Sequence, residues 1–237
     1  MGIRLTFLQH EDLAPAGHLA THADVLGLEV DTVRIDHGDP LPDLSGVDAL
    51  VPLGSFASAA DDRVPWLADE LELLRRADEA GVAILGVCFG GQALARALGG
   101  RVAPLERPEI GWLELDTDDP ALVPPGPVVA WHNDALFPPP AAAELARTAR
   151  ASHAFTVGRH LGVQFHPEVT AGIVDAWAQR SPDILERAGV DASTVLDPLR
   201  READANAARA GRLLRRFLER AGLSTAPPTA KAQQTLG

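Results

Sequence analysis

Apolar residues along this chain fall into two alternating patterns: short unbroken runs bounded by Gly, Pro and Asp, and longer stretches with apolar positions three and four apart. The first pattern suits strands buried on both faces and the second amphipathic helices, so their alternation predicts a parallel sheet wrapped by helices. Strands are expected at Ile3–Leu8, Glu29–Ile35, Ala49–Leu53 and Val82–Val87. Helices are expected at His18–Leu26, after Pro15-Ala16-Gly17, and at Gln92–Leu98. A third helix, Trp66–Ala80, places Leu67, Leu71 and Leu74 at helical spacing and is stopped by Gly81.

Between Arg101 and Gly162 the chain becomes strand-rich, and Pro124-Pro125 and Pro138-Pro139-Pro140 mark loops rather than central strands. Short strands are expected at Val128–Trp131, Phe155–Val157 and Gly162–Phe165. From Ala171 onward the pattern is helical and ends in an Arg-rich amphipathic stretch, Ala203–Ala221, with Ala207, Leu213, Leu214, Phe217 and Leu218 as its apolar positions. The final residues are poor in aliphatics and carry proline, so a disordered tail is expected there. The sequence contains no internal repeat.

A length of 237 residues suits one large α/β domain or a domain with a modest appendage. No run approaches the ~18 apolar residues of a membrane span. The N-terminus lacks an apolar h-region and a small-residue cleavage site, so no membrane partner and a cytoplasmic location are expected. The net charge of -12 argues against a nucleic-acid partner, because that affinity rests on Lys and Arg neutralising phosphates. With one cysteine, Cys88, the chain forms neither an internal disulfide nor a multi-thiolate metal site, which leaves a buried structural thiol or a reactive one.

Cys88 sits in G-V-C-F-G-G-Q, directly after an expected central strand and before a helix. Glycines two residues to either side allow the sharp strand-to-helix turn that projects a nucleophile from the carboxyl edge of a sheet. The first N–H groups of the following helix would favour the thiolate. Core packing is the bland alternative for a lone cysteine. The segment G-V-Q-F-H-P-E-V, residues 162–169, shifts the balance: a short strand delivers His166 to its end, and Pro167 sets Glu168 two residues on. A thiol, a base and a group that orients the base are the parts of an activated nucleophile.

Together these two segments resemble the class I (triad) glutamine amidotransferase family, over about residues 1–180. The stretches Q-H-E-D-L-A-P-A-G, P-W-L, E-I-G-W and W-H-N-D are similar to its standalone, GMP-synthase-like branch, in which the amidotransferase is a separate polypeptide. The resemblance implies that Cys88 attacks the side-chain amide of glutamine, that His166 shuttles the proton to the departing ammonia, and that Glu168 orients His166. It further implies that Gln92 contacts the bound glutamine and that His132, Asn133 and Asp134 lie beside its amino-acid end, with a purely structural role as the alternative for His132. The oxyanion would be held by the backbone N–H of Phe89 and by the loop at Gly54 and Ser55. Two positions depart from the family. Gly54-Ser55-Phe56 stands where relatives carry Gly-Gly-Pro, and serine restricts positive φ more than glycine does. Asn133 stands where glycine is frequent, a milder change because asparagine tolerates the left-handed region.

The fold expected is α/β, a flavodoxin-like doubly wound, mostly parallel sheet with helices on both faces. Residues 1–180 would form the amidotransferase domain, 181–222 a helical C-terminal extension and 223–237 the tail. No metal and no cofactor are expected. His18 and His22 have the i, i+4 spacing of a ligand pair, but with His10 nearby and no third ligand they read as a solvated helix face. Trp66, Trp112 and Trp177 read as packing residues. The partners expected are glutamine or another γ-glutamyl compound and a separate synthase subunit that receives ammonia. A free-standing γ-glutamyl hydrolase with the same triad is the alternative, and a non-catalytic module that keeps the fold is the third reading.

Overall fold

The structure, a computed structural model, describes residues 2–223, so the tail expected beyond Leu223 lies outside the described residues. The elements in order are β1 (Arg4–Gln9), α1 (Gly17–Val25), β2 (Glu29–Arg34), β3 (Ala49–Pro52), α2 (Leu67–Glu79), β4 (Ala83–Val87) and α3 (Phe89–Ala97). They continue as β5 (Arg101–Leu113), β6 (Asp116–Thr117), β7 (Val128–Phe137), β8 (Ala143–Arg147), β9 (Ser152–Val157) and β10 (His160–Val163). Four helices follow: α4 (Ala171–Arg180), α5 (Pro182–Ala188), α6 (Ser193–Arg201) and α7 (Ala203–Arg220). No helix among the described residues is long and apolar enough to cross a membrane.

One sheet runs β2-β1-β3-β4-β10-β9-β7-β5, the first five strands parallel and the rest antiparallel. The period-two geometry of strands sorts the core into two layers. Leu5, Phe7, Ala49, Val51, Ala83, Leu85 and Val87 face α1 and α7. Leu8, Leu50 and Ile84 face the opposite way, toward α2 and α3. Helices therefore cover both faces of a mostly parallel sheet, as the alternating pattern predicts. α4, α5 and α6 pack a third cluster, with Trp177, Ile184 and Leu196, against Ile110 and Val129 of the antiparallel part.

Most element limits lie within a residue or two of expectation. α3 is an exception, because it opens at Phe89 rather than Gln92. Its first turn contains Gly90 and Gly91, poor helix formers by propensity, but closeness to the sheet requires them. A Cβ on Gly90 would lie 1.9 Å from the carbonyl oxygen of Pro52, and one on Gly91 2.6 Å from that of Val163. β5 runs through Pro104 and Pro108, which is tolerated because it ends the sheet and leaves one side without a ladder partner.

The histidines correct one expectation. His22 does not face solvent; it is buried where α1 meets α7, and a Cβ on Gly211 would touch its ring at 2.5 Å. His10 is buried too, with Nε2 3.0 Å from each carboxylate oxygen of Glu70 and its ring stacked on Trp66. Burial of α7 against the first helix consumes the face that His22 would otherwise expose.

Candidate active site

β4 ends at Val87, and Cys88 turns the chain into α3 with φ +50° and ψ −104°. Among the described residues it is the only non-glycine with positive φ. Such a conformation costs about 1–3 kcal/mol and persists only where the surroundings over-determine it. They do so here: the Cys88 N–H donates to the Val163 carbonyl at 2.8 Å, and its own carbonyl accepts from the Gln92 N–H at 2.9 Å. Gly86 is forced by the same turn, since a Cβ there would lie 2.5 Å from the Gly90 carbonyl oxygen.

β10 lies beside β4 and is followed by the segment carrying the other two residues. The His166 N–H donates to the Val129 carbonyl at 2.8 Å, which fixes the backbone. Its Nδ1 is 2.7 Å from Oε1 of Glu168, and all of Cys88, His166 and Glu168 are buried. A carboxylate accepts only, so Nδ1 carries a hydrogen and Nε2 is the ring's second site for a proton. The Cys88 thiol and His166 Nε2 converge on the same carbonyl oxygen, that of Trp131, at 4.0 Å and 3.4 Å. Burial disfavours the imidazolium, but the charges of Glu168 and Cys88 outweigh it and hold the His166 pKa well above its ordinary value.

Three contacts that sequence patterning leaves unassigned surround this group. Gln164 donates from Nε2 to the Cys88 sulfur at 3.5 Å. It precedes His166 by two positions in the same short segment, and that nearness is the signal that could have found it. The Trp177 ring meets His166 edge-on at 4.7 Å and donates its N–H to the Leu13 carbonyl at 2.7 Å, so it walls the imidazole as well as packing the core. Behind Glu168, its carbonyl accepts the His18 N–H at 2.9 Å, and Gly17, at φ +45°, leaves no room for a Cβ against that oxygen.

A cavity of about 520 Å³ opens over Cys88 and is lined by Ser55, Ser58, Gln92, Asn133, Asp134 and, from the helical C-terminal segment, Arg180 and Arg187. A larger one of about 690 Å³ at the β2 edge contains none of these residues. Phe89 opens α3, so its N–H belongs to the first turn, where helices leave N–H groups without an internal partner. Gly54 closes over the imidazole, where a Cβ would stand 3.3 Å from Cε1. Neither Ser55 nor Asn133 has positive φ, so neither departure from the family's glycines strains the backbone. Instead Ser55 Oγ donates to Oε1 of Glu11 at 3.0 Å, and the Phe56 N–H donates to the same oxygen at 3.3 Å.

The predicted substrate contacts divide. Asp134 lies on the cavity wall and accepts from Ser58 Oγ at 2.5 Å, while Asn133 is exposed at the rim. Gln92 is buried and donates to the Asp134 carbonyl at 3.1 Å and to Oε1 of Gln164 at 3.2 Å, so its amide nitrogen is committed to the protein. His132 turns both ring nitrogens inward: Nδ1 is 2.9 Å from the Asp134 carbonyl oxygen and Nε2 is 3.3 Å from Glu109. It supports the wall and does not present a polar atom to the cavity.

The glutamine amidotransferase class-I family model matches residues 17–177, which is most of the chain. The chain belongs to that family. Its class I glutamine amidotransferase domain is 39% identical over 134 residues to the GMP synthase [glutamine-hydrolyzing] of Thermomicrobium roseum, covering 54% of this chain and 25% of the relative. The corresponding enzyme of Aeropyrum pernix is 34% identical over 140 residues, covering 56% and 26%. The chain thus spans about a quarter of the length of the curated relatives it matches. Among solved structures, a glutamine amidotransferase from Methylobacillus flagellatus superposes with a TM-score of 0.85 at 26% identity, covering 96% of this chain and 98% of the other. One from Thermotoga maritima gives 0.83 at 25% identity, with coverages of 92% and 99%.

Proposed function

We propose that this class I amidotransferase domain hydrolyses the side-chain amide of glutamine through a γ-glutamyl thioester on Cys88 and releases ammonia for a separate synthase. The observation that carries the reading is the strained turn at Cys88, which sets the thiol against a buried His166–Glu168 pair on the floor of an open cavity. In the first half-reaction the Cys88 thiolate, whose proton His166 already holds as imidazolium, attacks the amide carbon. The tetrahedral oxyanion is held by the N–H groups of Phe89 and the 54–55 loop. Collapse expels ammonia with the proton from His166, and water, activated by the same imidazole, cleaves the thioester to glutamate and free thiol.

Covalent labelling with a glutamine-mimicking electrophile tests the nucleophile: one label per chain at Cys88 is expected, and labelling that persists in Cys88→Ser overturns it. Glutamine turnover should rise when the cognate synthase is added.

A second reading, hydrolysis of larger γ-glutamyl amides, is favoured by the cavity's size. About 520 Å³ lies within the ~300–1,000 Å³ of pockets for drug-sized ligands and leaves room beyond a single glutamine. Comparing kcat/KM for glutamine and for γ-glutamyl peptides separates the two, since glutamine as the best substrate excludes the second.

A further inference from the structure

Behind the cavity wall, three strands of the antiparallel part converge on a second group of ionisable side chains. Glu109 on β5 and His132 on β7 are cross-strand partners, and His153 comes from β9. Oε2 of Glu109 is 3.0 Å from Nε2 of His153 and 3.3 Å from Nε2 of His132, with every side chain no more than 5% exposed. One coordinating atom from each residue lies within 4.8 Å of the other two.

Without an ion, Nε2 of His153 donates to Oε2 of Glu109, a proton that a metal would displace; the His132 contact, by contrast, is not a hydrogen bond. Its Nδ1 faces the Asp134 carbonyl, which only accepts, so Nδ1 carries the hydrogen and the neutral ring leaves a lone pair on Nε2. That nitrogen is buried, makes no hydrogen bond and nonetheless sits beside a carboxylate oxygen. A lone pair set against a carboxylate with nothing between them is repulsive. Donor atoms that share a cation behave differently: each points at the ion rather than at its neighbour. Ligands held about 2.0–2.1 Å from a tetrahedral ion stand about 3.3–3.4 Å from one another, close to the 3.0 and 3.3 Å that separate Oε2 of Glu109 from the two imidazole nitrogens.

We propose that Glu109, His132 and His153 bind a divalent transition-metal ion of the zinc type. Two imidazoles and one carboxylate suit such an ion, whereas calcium and magnesium require sets of oxygen ligands. Metal ligands normally have their remaining polar atoms held by neighbouring groups, and two of these three do, while Nδ1 of His153 is buried without a partner. His132 gives its other N–H to the Asp134 carbonyl, and Oε1 of Glu109 accepts from Thr148 Oγ1 at 2.9 Å. The ion ties β5, β7 and β9 together. Through the Asp134 carbonyl, which also holds Gln92, it fixes the wall of the catalytic cavity. The three ligands come from distant strands without a spacing motif, which is why the sequence led to the opposite expectation. The site is independent of the reaction proposed at Cys88.

The test uses the full chain, prepared without a histidine tag, freed of metal with a chelator and titrated with cobalt(II). One equivalent per chain should give the intense visible absorption of tetrahedral cobalt, and zinc should abolish it by displacement. His153→Gln removes a direct ligand and should weaken zinc binding by more than the about 10–100-fold that loss of an outer partner costs, while His37→Ala, in the exposed Asp12, Asp36 and His37 group, should leave it unchanged. The wild-type titration decides without any variant: absence of binding, or the pale spectrum of an octahedral aquo site, overturns the proposal. So does equal zinc affinity in folded His153→Gln, or loss of binding in His37→Ala.

Discussion

Nδ1 of His166 and Oε1 of Glu168 stand 2.7 Å apart, each side chain buried. Burial alone would lower the histidine's pKa, yet the Glu168 and Cys88 charges raise it well above 6.5. A histidine with a raised folded pKa binds its proton more tightly in the native state. Its stabilisation is complete below 6.5, the value of the unfolded chain, and is lost as pH rises through the folded value. Thermal midpoints should fall as pH is raised from 6.5 through the folded value. Glu168→Gln, which removes the larger of the two raising charges, should shrink the fall.

The same pair makes a kinetic prediction. Glutamine remains the natural amide of Glu168, so Glu168→Gln preserves shape while removing the charge that orients and stabilises the imidazolium. The comparable change in a serine triad costs about 10,000-fold in kcat. A loss of about 100-fold or more is expected here, with KM little altered, measured as glutamate release at saturating glutamine. A variant that retains wild-type kcat would remove Glu168 from the reaction.

What the sequence makes legible follows from how local each feature is. Cys88 with its glycines and His166 with Glu168 lie on two short segments, each self-contained, and adjacent parallel strands bring them together. Alternating strand and helix patterns likewise place the two core layers. Glu11 is different, because nothing near it in sequence says that it meets Ser55, 44 positions away. His22 looked solvated because an amphipathic pattern within α1 does not reveal that α7, at the far end of the chain, will cover it. Trp177 reads correctly as packing, but its position against His166 depends on α4 folding back over β7.

Two glycine substitutions should change stability in opposite directions. A Cβ on Gly90 falls 1.9 Å from the Pro52 carbonyl oxygen, a backbone atom of a buried strand that cannot yield easily. Gly90→Ala should therefore destabilise by about 1–3 kcal/mol or more. Gly172, in the first turn of α4, meets only Thr170 Oγ1 at 3.8 Å and has helical backbone. Gly172→Ala should stabilise by about 0.4–1 kcal/mol, chiefly by restricting the unfolded chain. Urea unfolding of both variants checks the sign.

Glu11 carries the last prediction, because it fastens the loop that replaces the family's Gly-Gly-Pro. Its Oε1 accepts from Ser55 Oγ and from the Phe56 N–H, and Ser55 Oγ accepts in turn from the Ala57 N–H at 3.0 Å. A carboxylate and a hydroxyl hold the loop here by hydrogen bonds. Losing an oxyanion donor outright costs about 100–1,000-fold in kcat. Glu11→Ala only loosens the support, so the expected loss is smaller, about tenfold to 100-fold, and should fall on kcat more than on KM. Glu11→Gln keeps an acceptor at that position and should recover most of the rate. If Glu11→Ala instead raises KM with kcat intact, the loop binds substrate in the ground state and the 54–55 N–H does not hold the oxyanion.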